Sequence, residues 1–284
     1  MAAGHRVRRK FAHVARTLVH DKPKSKPRAM VPVPPEWEVN SWEDKARQNP
    51  LFAVMTTEHF TEAQADNFSE EQLQVFYAKG QKIFDAHLRP RLSGDKSTFV
   101  VEYGCGMGRI LKAVLGQGYQ CAGIDISSTM LEHCRRLVPA VNALYVVDES
   151  GRCALLDHTA DFVFSYAVLQ HIDKLSTYLT AVGEICRVLK PGGTFAIQVN
   201  CEDLTHGLDR PGRTENFEDH SVHYRPVEAK PYSVHPQSTW SGVYIGGARL
   251  RQELSAHRCE IDEIYYHNPS KLRAIWVVGR KSGH

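Results

Sequence analysis

From residue 98 onwards, short apolar runs alternate with segments of helical periodicity, and this alternation restricts the fold more than any other feature of the sequence. Parallel strands need crossover connections, usually helices, which then cover both faces of the sheet. The pattern therefore predicts an α/β fold, a doubly wound, Rossmann-like and mostly parallel sheet. The predicted strands of this part are 99–103, 120–124, 144–147, 162–166 and 194–199.

After the fifth strand the rhythm changes. A helical pattern over 248–257 precedes two further strands, 260–265 and 273–278, which complete a seven-stranded sheet with an antiparallel last strand. Between the fifth strand and this helix lies the segment 201–244, rich in Pro, Gly and His. A connection of this length within a compact domain is usually functional, so we predict that it is an inserted lid.

Basic charge is concentrated at the N-terminus. Nine of the 35 Lys and Arg residues and one of the 32 acidic residues lie within the first thirty positions, so the formal charge of +3 combines a basic arm with a mildly acidic body. We interpret 1–36 as this arm and a Pro-rich linker. The arm either contacts an anionic surface or a partner, packs on the body as a short helix, or is disordered.

Residues 37–94 carry helical signals and predict a helical N-terminal cap in front of a core domain at 95–284. Ser41 is placed to cap a helix over 42–48, and Ser69 and Gln72 form a capping box at the start of a second helix.

Several classes of protein conflict with the composition. No apolar run reaches the roughly 18 to 20 residues that a transmembrane helix needs, and the arginine-rich N-terminus lacks the apolar segment of a signal peptide. The seven cysteines are scattered without a C-x-x-C pair, which indicates reduced thiols and a cytoplasmic protein. The acidic body argues against a nucleic-acid partner, and a homodimer is left open.

A glycine loop follows the first strand, with Gly104, Gly106 and Gly108 at alternate positions before a helix predicted from Arg109. Glycine lets the backbone turn sharply and lets a ligand approach it beside a helix N-terminus. A dinucleotide fingerprint needs a further glycine where Arg109 stands, so a different adenosine-sized ligand is expected. Asp125, at the tip of the second strand, can accept both hydrogen bonds of a ribose diol or can cap the next helix.

Four segments together resemble, in order and spacing, the motifs of class I S-adenosylmethionine-dependent methyltransferases, and particularly the group called type 11. They are VVEYGCGMGR, GIDIS, ADFVFSYAVLQHI and RVLKPGGTFAI. The resemblance covers about residues 95–200 well and implies S-adenosylmethionine as cofactor, with S-adenosylhomocysteine as the product.

By position, the resemblance implies a set of cofactor-binding residues. The three loop glycines would line the methionine and ribose portion, Glu102 would orient the loop, Asp125 would hold the ribose, and Ile126 and Met130 would flank the adenine. Asp148 or Glu149 would contact the edge of the adenine. Ser165 joins this set, as does Arg47, whose segment SWEDKAR resembles one that closes over the cofactor in relatives; an exposed helix face is the alternative for Arg47.

Methyl transfer to a hydroxyl needs a base near the carboxyl ends of the strands. His171 follows the fourth strand, and an unperturbed histidine pKa of about 6.5 suits a base near neutral pH. In several small-molecule and sugar O-methyltransferases of this resemblance, a histidine here is the base; a structural role within the Gln170-His171-Ile172 turn is the alternative.

The lid supplies further candidates for binding the acceptor, together with Gln170. His220 and His223 lie in a spacing able to hold a divalent metal, although a polar lid without metal is favoured. Tyr224 and Trp240 would either stack on an acceptor or pack the lid onto the body.

The sequence therefore favours O-methylation of a small molecule or a saccharide, as in natural-product or saccharide biosynthesis. N-methylation of a small-molecule amine and a non-catalytic, cofactor-binding regulator are the two alternatives.

Overall fold

The computed structural model describes residues 42–55, 60, 67–148, 151–172, 174–200, 243, 245–266 and 274–283. The predictions for the basic arm, the linker, Ser41, Glu149 and the lid residues His220, His223, Tyr224 and Trp240 lie outside these residues.

The sheet has seven strands in the described residues, namely β1 Phe99–Tyr103, β2 Gln120–Asp125, β3 Ala143–Val146, β4 Ala160–Ser165, β5 Leu189–Asn200, β6 Cys259–Tyr266 and β7 Ala274–Lys281. They lie in the order β3-β2-β1-β4-β5-β7-β6. Strands β1 to β5 pair in parallel, whereas β7 runs antiparallel between β5 and β6. The predicted doubly wound sheet with an antiparallel last strand is thus confirmed.

Helices cover both faces of this sheet because alternate strand residues are apolar on both sides. These helices are α4 Leu111–Gly116, α5 Ser128–Leu137, α6 Leu175–Val188 and α7 Gly247–Ala256. Val100 of β1 packs in a cluster with Leu111 of α4, whereas its neighbour Val101 packs in a second cluster with Ile185 of α6 and Leu250 of α7. None of the helices in the described part of the chain is long and apolar enough to cross a membrane.

Three helices precede the sheet, namely α1 Trp42–Gln48, α2 Pro50–Val54 and α3 Glu70–Ile83. The predicted capping box is present at α3, where the Ser69 hydroxyl accepts from the Gln72 amide at 3.1 Å and the Gln72 side chain accepts from the Ser69 amide at 2.9 Å. Phe76 of α3 is fully buried. A π-turn, Phe84–Leu88, and a 3₁₀ turn, Arg89–Arg91, lead on to the sheet.

The helix predicted from Arg109 begins instead at Leu111. The glycine loop continues through residues 106–110 as turns, with left-handed backbone at Gly106 and Gly108. A left-handed residue cannot continue a right-handed helix, so α4 starts only after the loop has ended.

The chain order reverses between β1 and β4, since β2 and β3 lie on one side of β1 and β4 to β7 lie on the other. In open α/β sheets the carboxyl ends of the strands leave a ligand crevice at such a reversal. The segment after β1 and the segment after β4 therefore meet at one site.

Candidate active site

All three loop glycines adopt a left-handed backbone, with φ of 80° at Gly104, 52° at Gly106 and 77° at Gly108. A Cβ at Gly104 would lie 2.1 Å from Cγ2 of Val168, and one at Gly108 would lie 2.7 Å from Sγ of Cys134. The backbone turn and the packing beneath it thus require glycine at both positions.

The Asp125 carboxylate holds the middle of this loop. Its Oδ2 accepts a hydrogen bond from the Gly106 amide at 2.7 Å, and its Oδ1 accepts one from the Ser127 amide at 3.0 Å. Ser127, not Asp125, caps α5, because the Ser127 hydroxyl accepts from the Met130 amide. A carboxylate offers about four acceptor positions, so a diol can still bind.

Glu102 lies under the loop and is 3% exposed. Burial raises the pKa of Glu102 well above its usual value, while the nearby guanidinium of Arg109 acts in the opposite direction. Its Oε2 has no hydrogen-bond partner among the described residues. Since buried polar atoms are normally paired, this oxygen is a candidate to accept a hydrogen bond from a ligand donor.

Arg109 fixes the far end of the loop. Its guanidinium carbon lies 5.7 Å from the ring centroid of Phe76 on α3 and 5.5 Å from that of Tyr166, directly after β4. The side chain is largely buried, and a cation between two aromatic faces is stabilised by their quadrupoles. The loop is therefore anchored to both the cap and the sheet.

Ile126 and Val146 mark the adjacent strand ends. Their side chains are 50% and 51% exposed, and Val146 pairs in register with Asp125. Exposed apolar side chains beside the carboxylate form a surface on which a purine ring can lie. The exposure of Ile126 is compatible with its predicted role, which stays a prediction. Val146 was missed and is recognisable only as an apolar residue at the end of a strand.

Two predicted cofactor residues face the interior instead. Met130 is 2% exposed and packs with Leu51 and Phe52 of the cap, so it does not flank a ligand. Ser165 is fully buried, and its hydroxyl donates to the Tyr103 carbonyl at 2.9 Å across the strand pair. Both predictions of direct contact are corrected by this packing.

Arg47, which the sequence analysis placed among the cofactor-binding residues, has a side chain that is 66% exposed and pairs with Glu43 on its own helix at 3.2 Å. The buried cation is Lys45, 1% exposed, whose Nζ lies 5.4 Å from the ring centroid of Trp42. Burial lowers the pKa of Lys45 to about 8. Lys45 was missed because a lysine in a short charged helix gives no sequence signal of burial.

His171 ends a 3₁₀ turn, Leu169–His171, beyond the carboxyl end of β4. Its Nε2 lies 3.2 Å from Nε2 of Gln170, and its ring centroid lies 5.5 Å from that of Trp42. The Val243 amide donates to the Ile172 carbonyl at 2.8 Å. The chain therefore returns from the 201–242 segment beside His171.

Gln198 of β5, also missed, supports the turn before His171. Ala167 has a left-handed backbone, with φ of 57°, and its amide donates to Oε1 of Gln198 at 3.0 Å. Left-handed backbone at a non-glycine residue persists where the surroundings hold it, often at functional sites.

Comparison with known proteins identifies this arrangement. Residues 101–197 match the methyltransferase domain family of type 11. The chain carries a class I S-adenosylmethionine-dependent methyltransferase domain. Its fold is shared with an S-adenosylmethionine-dependent methyltransferase from Leishmania major, at 13% identity and a TM-score of 0.52 over 84% of this chain and 80% of that one.

Two curated methyltransferases show similarity in sequence. A malonyl-[acyl-carrier protein] O-methyltransferase from Enterobacter lignolyticus is 29% identical over 50% of this chain and 55% of its own length. A trans-aconitate 2-methyltransferase from Azoarcus sp. is 31% identical over 43% of this chain and 48% of its own length. The chain thus spans about half the length of these relatives.

The residues of this site fit the cofactor that the matched family uses. The free acceptor positions of Asp125, the unpaired oxygen of Glu102 and the apolar surface at Ile126 and Val146 match the polar and adenine parts of an adenosyl compound. Among the described residues, no group of three or more His, Cys, Asp or Glu side chains is arranged to hold a metal ion.

Proposed function

We propose that the protein is an S-adenosylmethionine-dependent O-methyltransferase that acts on a hydroxyl of a small molecule or a saccharide, with His171 as general base. The observation that carries the proposal is the contact between the two halves of the site. Val168 packs against Gly104 of the cofactor loop, and His171 follows Val168 by three residues.

The cofactor, when bound, supplies an electrophilic methyl group on a sulfonium. Asp125 would hold the ribose, and Glu102 would accept from the methionine ammonium. These contacts fix the cofactor, while the segment after β4 brings the acceptor to the same edge of the sheet.

His171 would take the hydroxyl proton as the oxygen attacks the methyl carbon. Trp42 and Gln170, which contact its imidazole, would fix the orientation of the ring. O-transfer is supported by the names of curated relatives, which include O-methyltransferases. The lid segment 201–244, whose residue Val243 donates its amide to the Ile172 carbonyl next to His171, would cover the acceptor.

The substitution H171A tests the base role. We expect it to retain cofactor affinity, measured by calorimetry, and to lose label transfer from radiolabelled S-adenosylmethionine to a panel of sugars and phenols by about 10²–10⁴-fold. The matched control is H257A, at the opposite edge of the sheet beside Pro191.

Two results would change the proposal. Transfer by H171A at the rate of the unchanged protein would exclude a base and favour an amine acceptor, which is nucleophilic when neutral. Cofactor binding without any transfer from a metabolite extract would favour the non-catalytic alternative.

A further inference from the structure

The carboxylate of Glu43 fastens the cap helix α1 to the first turn of α5. Its Oε2 accepts from the Ser127 hydroxyl at 2.7 Å and from the Thr129 amide at 3.3 Å, and its Oε1 accepts from the Thr129 hydroxyl at 2.6 Å. Burial acts to raise the pKa of Glu43, but hydrogen bonds from Ser127 and Thr129 outweigh it and lower this pKa to about 2. The carboxylate is therefore ionised at neutral pH.

This junction lies next to the residues that would bind the cofactor, namely Asp125 and the glycine loop. Ser127 follows Asp125 by two residues, and the cap residues Ala46 and Leu51 pack in one cluster with Met107 of the glycine loop. A Cβ at Gly106 would lie 3.3 Å from Cγ2 of Val54, the last residue of α2. The cap thus packs directly against the loop.

The same helix reaches the acceptor side. Trp42, the residue before Glu43, forms a T-shaped ring contact with His171, at 5.5 Å between centroids. A helix held at Glu43 cannot rotate without moving this ring. The position of Trp42 against His171 therefore depends on the hydrogen bonds between Glu43 and α5.

We propose that Glu43 is a positioning residue for methyl transfer, which holds the cap over the cofactor loop and holds Trp42 against His171. The inference rests on the proposed function and extends it to a residue that touches neither the cofactor nor the acceptor. A purely structural role, in which Glu43 only complements the N-terminal dipole of α5, is the competing explanation.

The variants E43Q and T129V test the inference. E43Q keeps the shape of the side chain and removes its charge, whereas T129V removes one donor and leaves the Ser127 cap in place. The matched control is E71Q, an exposed acid in the first turn of α3. The measurements are the Kd of S-adenosylmethionine, the release rate of S-adenosylhomocysteine and the melting temperature.

We expect E43Q to release S-adenosylhomocysteine about tenfold faster. Loss of the charge weakens the hydrogen bonds that hold the cap against the loop, and charge-assisted hydrogen bonds are among the stronger ones. E71Q should release S-adenosylhomocysteine at the rate of the unchanged protein. In the double variant E43Q/T129V, the change in the free energy of S-adenosylhomocysteine release should be smaller than the sum of the changes in the two single variants, because both substitutions act on the same junction.

Two outcomes would overturn the inference: an unchanged release rate of S-adenosylhomocysteine in E43Q, whether or not its melting temperature falls, or effects of the two single variants on that rate that add up in the double variant. Failure of the unchanged protein to bind S-adenosylmethionine would instead overturn the proposed function together with it.

Discussion

At the scale of single residues, Gly104 and Glu102 define the glycine loop, and each makes the loop sensitive to one added or altered group. Gly104 needs a left-handed backbone and has a valine where its Cβ would be. Glu102 holds a carboxyl group in an apolar interior beneath the same loop.

We predict that G104A lowers the free energy of unfolding by about 1–3 kcal/mol and abolishes measurable cofactor binding, because the added methyl group both strains the backbone and displaces Val168. Urea unfolding and calorimetry measure the two effects. The control is G116A, at the end of α4, where nothing lies within 4 Å of the added group. Equal behaviour of the two variants would contradict the packing described here.

We predict that E102Q stabilises the protein at pH 8 by about 1–3 kcal/mol and has little effect at pH 4. Burial raises the pKa of Glu102, so the folded state holds the proton more tightly than the unfolded state. Below its unfolded pKa the group is neutral in both states; as the pH rises towards the folded pKa, the unfolded chain ionises first and stability falls.

The glutamine side chain of E102Q does not ionise, so the variant does not lose stability as the pH rises. Urea unfolding of both proteins between pH 4 and pH 8 measures the difference, and a difference that does not vary with pH would show that Glu102 ionises normally in the folded state. Cofactor affinity should fall in E102Q if the carboxylate also binds the ligand.

At the scale of elements, the cap and the sheet are joined where α3 crosses the glycine loop. A Cβ at Gly80 of α3 would lie 2.1 Å from the carbonyl oxygen of Arg109. The helix and the loop backbone approach this closely only because position 80 has no side chain, and Arg109 in turn inserts between Phe76 and Tyr166.

We predict that G80A lowers the free energy of unfolding by about 1–3 kcal/mol, although alanine is the better helix former, because α3 must move away from the loop. Cofactor affinity should fall with it. K79A, on the exposed side of the same helix, should be neutral in both measurements. A stabilising G80A would show that the approach of α3 is looser than described.

At the scale of the whole molecule, the charge distribution of the sequence separates the basic arm from the mildly acidic body. We predict that deletion of residues 1–36 leaves the Kd of S-adenosylmethionine within about twofold, because every cofactor contact inferred above lies beyond residue 41. Attachment to anionic vesicles or to a partner should weaken instead. Loss of cofactor affinity in the deletion variant would show that residues before position 37 contribute to the cofactor-binding domain.

Most of the fold was predictable from the sequence because its signals are local. Alternating strand and helix periods predicted the parallel sheet, and the order of the glycine loop and Asp125 predicted the ligand edge. Ser69 and Gln72 predicted a helix start correctly because both partners of a capping box lie three residues apart.

Parts of the site could not be predicted in this way. Met130 and Ile126 look equally suited to an adenine surface in sequence, and only the packing of the cap shows that Met130 is covered. Arg47 and Lys45 differ by two positions on one helix, and the rotation of that helix against the body decides which of the two is buried.

The sequence by itself determined the fold class, the family resemblance and the loop that would receive the cofactor, because each depends on spacing along the chain. The tertiary structure alone decided that Glu43 joins α1 to α5, that Trp42 meets His171, and that Gly104 is required by Val168. These contacts join segments 64 or more residues apart in the chain, and they depend on which faces of the cap and the sheet come together.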